Sequence, residues 1–301
     1  MAKILDGRFL ADQSLEKLKI KITKKITVSK NTNLPGLAVI CVGDSEASKI
    51  YVNKKKEACQ KVGIQSFSYD LPASTTEKEL LNLIDELNKN LDVHGILLQL
   101  PLPEKIRSDL ILDKIDCKKD VDGFHPYNLG LLAQKRPFFR PCTPYGIVEL
   151  LNFFILKNDS DFLAGKHAVI LGASNIVGRP MVFELLALGC TVTICHSKTK
   201  KLDEITRNAD LLISAVGKPG LVQAGHVKPN AIVIDVGINR ISRAISSDSK
   251  QQQIVGDVEF ESVKEKASWI TPVPGGVGPM TVAMLLENTV KSWESFNSLI
   301  V

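Results

Sequence analysis

Between residues 166 and 188 the chain passes from a short apolar run, Lys166–Leu171, through the turn Gly172-Ala173-Ser174-Asn175-Ile176-Val177-Gly178, into an amphipathic segment at Arg179–Leu188. No other feature narrows the fold as far. A buried strand that turns on glycines into a helix N-terminus opens a βαβ unit and aims backbone N–H groups at an anion. Ser174 stands where the second glycine of the G-x-G-x-x-G fingerprint would be, so a tight turn without a ligand also fits this string. Apolar runs at Thr191–His196, Leu211–Val216, Ala231–Val236 and Trp269–Pro272, with helical or loop segments between them, extend it into a complete α/β unit.

The first half alternates in the same manner. Leu15, Leu18, Ile22 and Ile26 recur at helical spacing, and a buried strand is expected at Leu37–Val42. Gly43-Asp44-Ser45 supplies a turn and an N-cap for a helix reaching about Val62. A strand at Gln65–Leu71, a helix opened by the capping box Thr76-Glu77-Lys78-Glu79, and a strand at Val93–Leu100 complete a βαβαβ unit. An irregular stretch follows, then a helix at about Tyr145–Phe154. From about Met280 a closing helix is expected to return to the first domain, which makes the second an insertion. The fold class is therefore α/β, with two α/β domains, the second Rossmann-like. Expected boundaries are 1–141 plus 280–301 and 142–279, in keeping with 301 residues at roughly 150 per domain.

Composition removes several function classes. Hydrophobic residues at 44% and charged residues at 24% describe a folded globular chain rather than a disordered one. No apolar run approaches the ~18 residues of a membrane span, and MAKILDGRFL lacks the marks of a signal peptide, so a cytoplasmic protein with no membrane partner is expected. The six cysteines are scattered without Cys-x-x-Cys pairs or histidine partners, which predicts reduced core thiols and no metal. A net charge of +5 without a basic block, and 6% aromatics, argue against a nucleic-acid partner. Such a surplus suits attraction of small anions.

Candidate chemistry sits at predicted strand ends. The strand ending at Cys195-His196-Ser197-Lys198 carries no acid where NAD-binding folds place one on the ribose; Ser197, Lys198 and Arg179 suit a 2′-phosphate, favouring NADP. His196 is expected to have no catalytic role. The turn Asp235-Val236-Gly237-Ile238-Asn239 ends another strand, where such folds bind ligand. Tyr51 and Lys55, at i and i+4, share one helix face, whereas Lys54 and Lys56 should point elsewhere. A lysine-rich solvent face accounts for the same pair. Gln99 ends a buried strand, where an amide needs a partner or a ligand, while Asp122 before Gly123 is also an ordinary turn former. Finally, Thr271–Thr281 concentrates glycine and proline into a rigid loop or hinge.

Taken in order, Tyr51-Val52-x-x-Lys55, Val93-x-Gly95-Ile96-x-x-Gln99-Leu100-Pro101-Leu102-Pro103, Lys119–His125, Arg140–Pro144, Gly172–Pro180 and Pro272–Thr281 resemble the bifunctional methylenetetrahydrofolate dehydrogenase/cyclohydrolase family. The resemblance covers essentially the whole chain. It implies oxidation of 5,10-methylenetetrahydrofolate to the methenyl cation with NADP, then hydrolysis to 10-formyltetrahydrofolate, both in one cleft between the domains. It further implies that Tyr51 stacks on the folate, Asp122 binds the pterin edge, Lys55 carries the hydrolytic chemistry and Gln99 holds Lys55 and substrate in register. The loop Pro274–Val282 would close over the folate, with Pro274, Gly275 and Gly276 among its substrate contacts. Cofactor contacts are implied at Gly172, Ala173, Ser174, Ser197 and Ile238, and a homodimer through the nucleotide domain.

Overall fold

The structure is a computed structural model and describes residues 1–29, 33–246 and 249–298. In chain order its first half contains β1 (Lys3–Ile4), α1 (Gly7–Ser29), β2 (Gly36–Val42), α2 (Glu46–Val62), β3 (Gln65–Leu71), α3 (Glu77–Lys89), β4 (Gly95–Leu98), α4 (Ser108–Lys114), α5 (Pro126–Ala133) and α6 (Cys142–Leu151). The second half contains β5 (His167–Leu171), α7 (Gly178–Ala187), β6 (Thr191–Cys195), α8 (Leu202–Thr206), β7 (Leu211–Ser214), β8 (Ile232–Asp235), β9 (Asn239–Ser246), β10 (Ser249–Val255), α9 (Phe260–Lys264), β11 (Trp269–Ile270) and α10 (Val277–Ser298). The chain divides into two compact units: Ala11–Cys142 with the segment from Val282, and Met1–Leu10 with Thr143–Thr281.

The first unit is built on a parallel sheet of order β3-β2-β4. Central β2 is buried at every position, which explains its unbroken apolar run GLAVICV, whereas edge strand β3 alternates with polar residues. Ala38, Ile40 and Val42 pack with Leu80, Ile84 and Leu87 of α3 and with Ile96 and Leu98 of β4. Helix α3 starts where its capping box predicts: Thr76 Oγ1 accepts the Glu79 N–H at 3.2 Å, and Glu79 Oε2 accepts the Thr76 N–H at 2.8 Å. The closing helix contributes polar ties as well as apolar burial, since Asn288 donates to the carbonyls of Val121 and Arg140 and Ser292 donates to those of His94 and Lys118. Two short helices, α4 and α5, occupy part of the stretch expected to be irregular.

The second unit is a six-stranded parallel sheet of order β1-β11-β8-β7-β5-β6. The chain leaves β5 for β6 on one side and returns to β7 on the other, which creates a switch point at the carboxyl end of β5, the place where open α/β sheets bind ligands. Two expectations are corrected. Residues 1–10 belong with this unit and not with the first domain, because Lys3–Ile4 pairs with Trp269–Ile270 at the sheet edge and Ala2 joins its core. Residues 239–246 and 249–255, expected as helix or loop, form the antiparallel β9–β10 pair, which among the described residues pairs with no other strand. Among the described residues no helix is long and apolar enough to cross a membrane.

Candidate active site

In the first unit the switch from strand to loop at the end of β4 delivers Gln99, and α2, the crossover between the parallel strands β2 and β3, carries Tyr51 and Lys55. Lys55 Nζ donates to Gln99 Oε1 at 3.0 Å, and Gln99 Nε2 donates to the Leu100 carbonyl at 2.8 Å. The amide is thereby locked with its oxygen towards the ammonium. The neighbouring lysines are otherwise engaged. Lys56 Nζ lies 3.5 Å from Asp70, and Lys54 Nζ lies 6.0 Å from the centroid of the Tyr51 ring. Helical register thus separates three consecutive lysines into three surroundings, and Lys55 alone of the three meets Gln99.

Asp122 sits on a loop held by its neighbour Asp120, whose buried carboxylate accepts the N–H groups of Phe124 and His125 and the amide of Asn128. Burial pushes the Asp122 carboxyl above its ordinary range, while the charge of Lys55 and a hydrogen bond from Cys142 pull it back. Lys55, Gln99 and Asp122 therefore form one electrostatic cluster, with Tyr51 one helical turn before Lys55. Cys142 was not singled out from the sequence. Its buried Sγ lies 3.3 Å from the Val121 carbonyl, and its backbone N–H donates to the Asp122 carbonyl. Burial and the adjacent Asp122 raise its thiol pKa well above the ordinary value, so it is a neutral hydrogen-bonding group. Its presence in the Arg140–Pro144 motif was the only available signal.

The second unit carries the glycine turn at the carboxyl end of β5. Gly172 has φ +107°, and a Cβ there would fall on the Ala215 carbonyl; a Cβ on Gly178 would fall on the Gly172 carbonyl. The turn is thus closed tightly against both its own helix and the loop after β7. Ser174 Oγ accepts the Val177 N–H at 3.2 Å, a side-chain hydrogen bond that ties the turn together just before the helix starts. Arg179 Nε donates to the Ala173 carbonyl at 3.2 Å, holding a guanidinium beside the turn. After β6, the His196 ring accepts the Lys198 N–H, so this histidine shapes the turn, and Ser197 and Lys198 are exposed. Ile238, after β8, is 44% exposed, unusual for an isoleucine at a strand end.

Pro274, Gly275 and Gly276 lie in this second unit, between β11 and α10, with the Gly275 carbonyl accepting the Arg8 N–H at 2.9 Å and the Gly276 N–H donating to Pro272. Among the described residues no cluster of His, Cys, Asp and Glu has metal-binding geometry.

Comparison with known proteins divides the chain into two regions along its length, with bounds that differ from those of the two compact units. Residues 5–122 match the family described as tetrahydrofolate dehydrogenase/cyclohydrolase, catalytic domain, and residues 141–297 match its NAD(P)-binding domain. The structure of the bifunctional enzyme FolD from Campylobacter jejuni is 50% identical, covers 98% of this chain and 99% of that one, and superposes with a TM-score of 0.90. The FolD of Trypanosoma brucei, solved with NADP cofactor and inhibitor, is 36% identical over 100% of this chain and 99% of that one, with a TM-score of 0.91. A 5,10-methylenetetrahydrofolate dehydrogenase from the silkworm Bombyx mori is 40% identical over 99% of this chain and 100% of that one, with a TM-score of 0.88. With both of its regions matched and this identity sustained end to end, the chain belongs to the tetrahydrofolate dehydrogenase/cyclohydrolase family.

Proposed function

We propose that the chain oxidises 5,10-methylenetetrahydrofolate to 5,10-methenyltetrahydrofolate with NADP and hydrolyses the product to 10-formyltetrahydrofolate. The carrying observation is the Lys55–Gln99 hydrogen bond, with Asp122 in the field of the same ammonium, inside the region that matches the family's catalytic domain. We assign folate chemistry to the unit of residues 11–142 and 282 onward, and dinucleotide binding to residues 1–10 and 143–281.

The turn of residues 172–178 fits a dinucleotide: its glycines leave no room for side chains between backbone and helix start, the feature that lets a pyrophosphate approach N–H groups. Gly172, Ala173 and Ser174 would hold the pyrophosphate, Ser197 with Lys198 and Arg179 the 2′-phosphate, and Ile238 would present an apolar surface. When bound, NADP supplies the hydride acceptor.

On the folate side, Tyr51 would stack on the planar ring system, and an ionised Asp122 would accept paired hydrogen bonds from the amino-pyrimidinone edge. Hydrolysis forms a bond from water oxygen to the methenyl carbon and breaks the carbon–N5 bond; the water gives up both protons, one passing to N5 and one leaving to solvent as the oxygen becomes the formyl carbonyl. Lys55 is the group that handles these protons, and Gln99 fixes its ammonium. Pro274, Gly275 and Gly276 would contact the folate through backbone. Two features support further assignments. The hairpin β9–β10, with no other strand paired to it among the described residues, supports a homodimer through the nucleotide unit; the free cysteines, all but Cys117 buried, support a reducing, cytoplasmic setting.

The test is turnover: the purified chain reduces NADP when given methylenetetrahydrofolate, and supplied methenyl absorbance decays faster than in buffer. A protein that does neither refutes the assignment.

A further inference from the structure

We propose that Asp257 is a positioning residue of the dinucleotide site, an inference that rests on the cofactor reading above. The side chain is wholly buried and accepts five hydrogen bonds. Its Oδ2 takes Ser214 Oγ at 3.2 Å and the N–H groups of Val216 at 2.8 Å and Gly217 at 3.2 Å; its Oδ1 takes the Lys218 N–H at 2.9 Å and Asn239 Nδ2 at 3.0 Å. These donors come from the carboxyl end of β7, the loop that follows it, and the residue after Ile238.

Both loops border the residues assigned to the cofactor. Ala215, the first residue after β7, presents the carbonyl against which Gly172 is closed, and Asn239 is the covalent neighbour of Ile238. One carboxylate therefore fixes the loop behind the glycine turn and the strand start beside Ile238. It has no slack, since a Cβ on Gly237 would collide with it. Asp257 is itself held, because its N–H donates to Asp235 Oδ1, which also accepts the Gly237 N–H. A second consequence is selective. Three successive N–H groups, 216 to 218, form an anion-binding concavity that the protein fills from within, which leaves the turn after β5 as the place for a pyrophosphate.

Only an ionised carboxylate accepts from every one of these donors. Asp257→Asn keeps the shape and turns an NH2 against at least one of them. In the full-length protein this substitution is expected to raise KM for NADP about tenfold or more, the loss of one charge-assisted hydrogen bond. KM for methylenetetrahydrofolate and the hydrolysis of supplied methenyltetrahydrofolate, which needs no dinucleotide, are expected within about twofold of the parent, as a ratio this small is under 0.5 kcal/mol. Asn239→Ala, which removes one donor, should raise KM for NADP by a smaller factor, and it carries the test together with Ser214→Ala if Asp257→Asn fails to fold. A lowered melting temperature with an unchanged KM for NADP, or equal loss of both activities in a folded variant, overturns the proposal. An active parent with indifferent variants overturns this inference alone; a parent that never reduces NADP overturns the cofactor reading beneath it.

Discussion

Lys55 Nζ and Gln99 Oε1 stand 3.0 Å apart, one on the crossover helix between β2 and β3 and the other at the carboxyl end of β4. Neither residue has a second copy of the arrangement in its neighbours, for Lys54 and Lys56 are drawn to Tyr51 and Asp70. Replacement of Lys55 by Met keeps the length and apolar stem and removes the amine proposed to carry the proton. The cyclohydrolase rate should fall ~10²–10⁴-fold, the range for losing a general acid or base, measured as decay of methenyl absorbance against the buffer rate. Full retention of the rate removes Lys55 from its role.

Gln99→Leu leaves the ammonium without its acceptor while preserving bulk. A charge-assisted hydrogen bond of 1.5–3 kcal/mol is lost, so hydrolysis should slow by roughly 10- to 100-fold. Stopped-flow hydrolysis at saturating substrate, where binding defects drop out, distinguishes loss of kcat from a weaker KM.

Asp122 offers a pH readout. Burial raises its carboxyl and Lys55 lowers it, so removing Lys55 must move the titration upward. A folate analogue that needs the ionised carboxylate binds more weakly as pH falls through this titration. In Lys55→Met the midpoint of that loss should lie at higher pH than in the parent, by calorimetric titration across a pH series. An unmoved or lowered midpoint contradicts the coupling.

His94 couples folding to pH. Its ring is buried, its Nδ1 accepts the Gly36 N–H at 3.0 Å, and burial lowers its pKa from 6.5 to about 4. The unfolded chain binds the proton below pH 6.5 and the native chain only near 4. The contribution is therefore complete above 6.5 and lost as pH falls towards 4, amounting to about 3 kcal/mol at most. Asp120 and Asp235, raised to about 7 and about 6, act in the opposite direction, so the comparison must be made against a variant. His94→Asn, which can still accept the Gly36 N–H, should show a weaker acid loss of urea stability between pH 6.5 and 4 than the parent. Equal slopes would exclude His94 as the source.

Gly178→Ala places a methyl on the Gly172 carbonyl. The backbone must yield, at about 1–3 kcal/mol of overpacking, and the turn opens. Dehydrogenase activity should decline through KM for NADP, while supplied methenyl substrate is hydrolysed at the parental rate.

Much of this architecture was legible because local chemistry agreed with tertiary need. Thr76 and Glu79 cap α3 by a purely local exchange, and the apolar run of β2 signals a central strand on its own. The meeting of Lys55 with Gln99 was readable for a different reason: Tyr51 and Lys55 share a helical face, and Gln99 ends a strand. What escaped depends on distant partners. Lys3–Ile4 is too short to show any period and becomes a strand only by pairing with residues far along the chain. The β9–β10 pair is rich in Ser, Arg and Gln, so its ladder lacks the apolar alternation that marks a strand. Asp257 looks like one more surface acid until five donors from elsewhere are brought to it.

The thiol of Cys142, sealed beside Asp122 and kept in its neutral form, has one more effect. Electrophiles and peroxides attack thiolates, so this sulfur is a poor target despite its place beside Asp122. The proposed site can keep a soft, compact neighbour there without inheriting sensitivity to oxidants, and alkylating reagents should modify the partly exposed Cys117 well before they silence the enzyme.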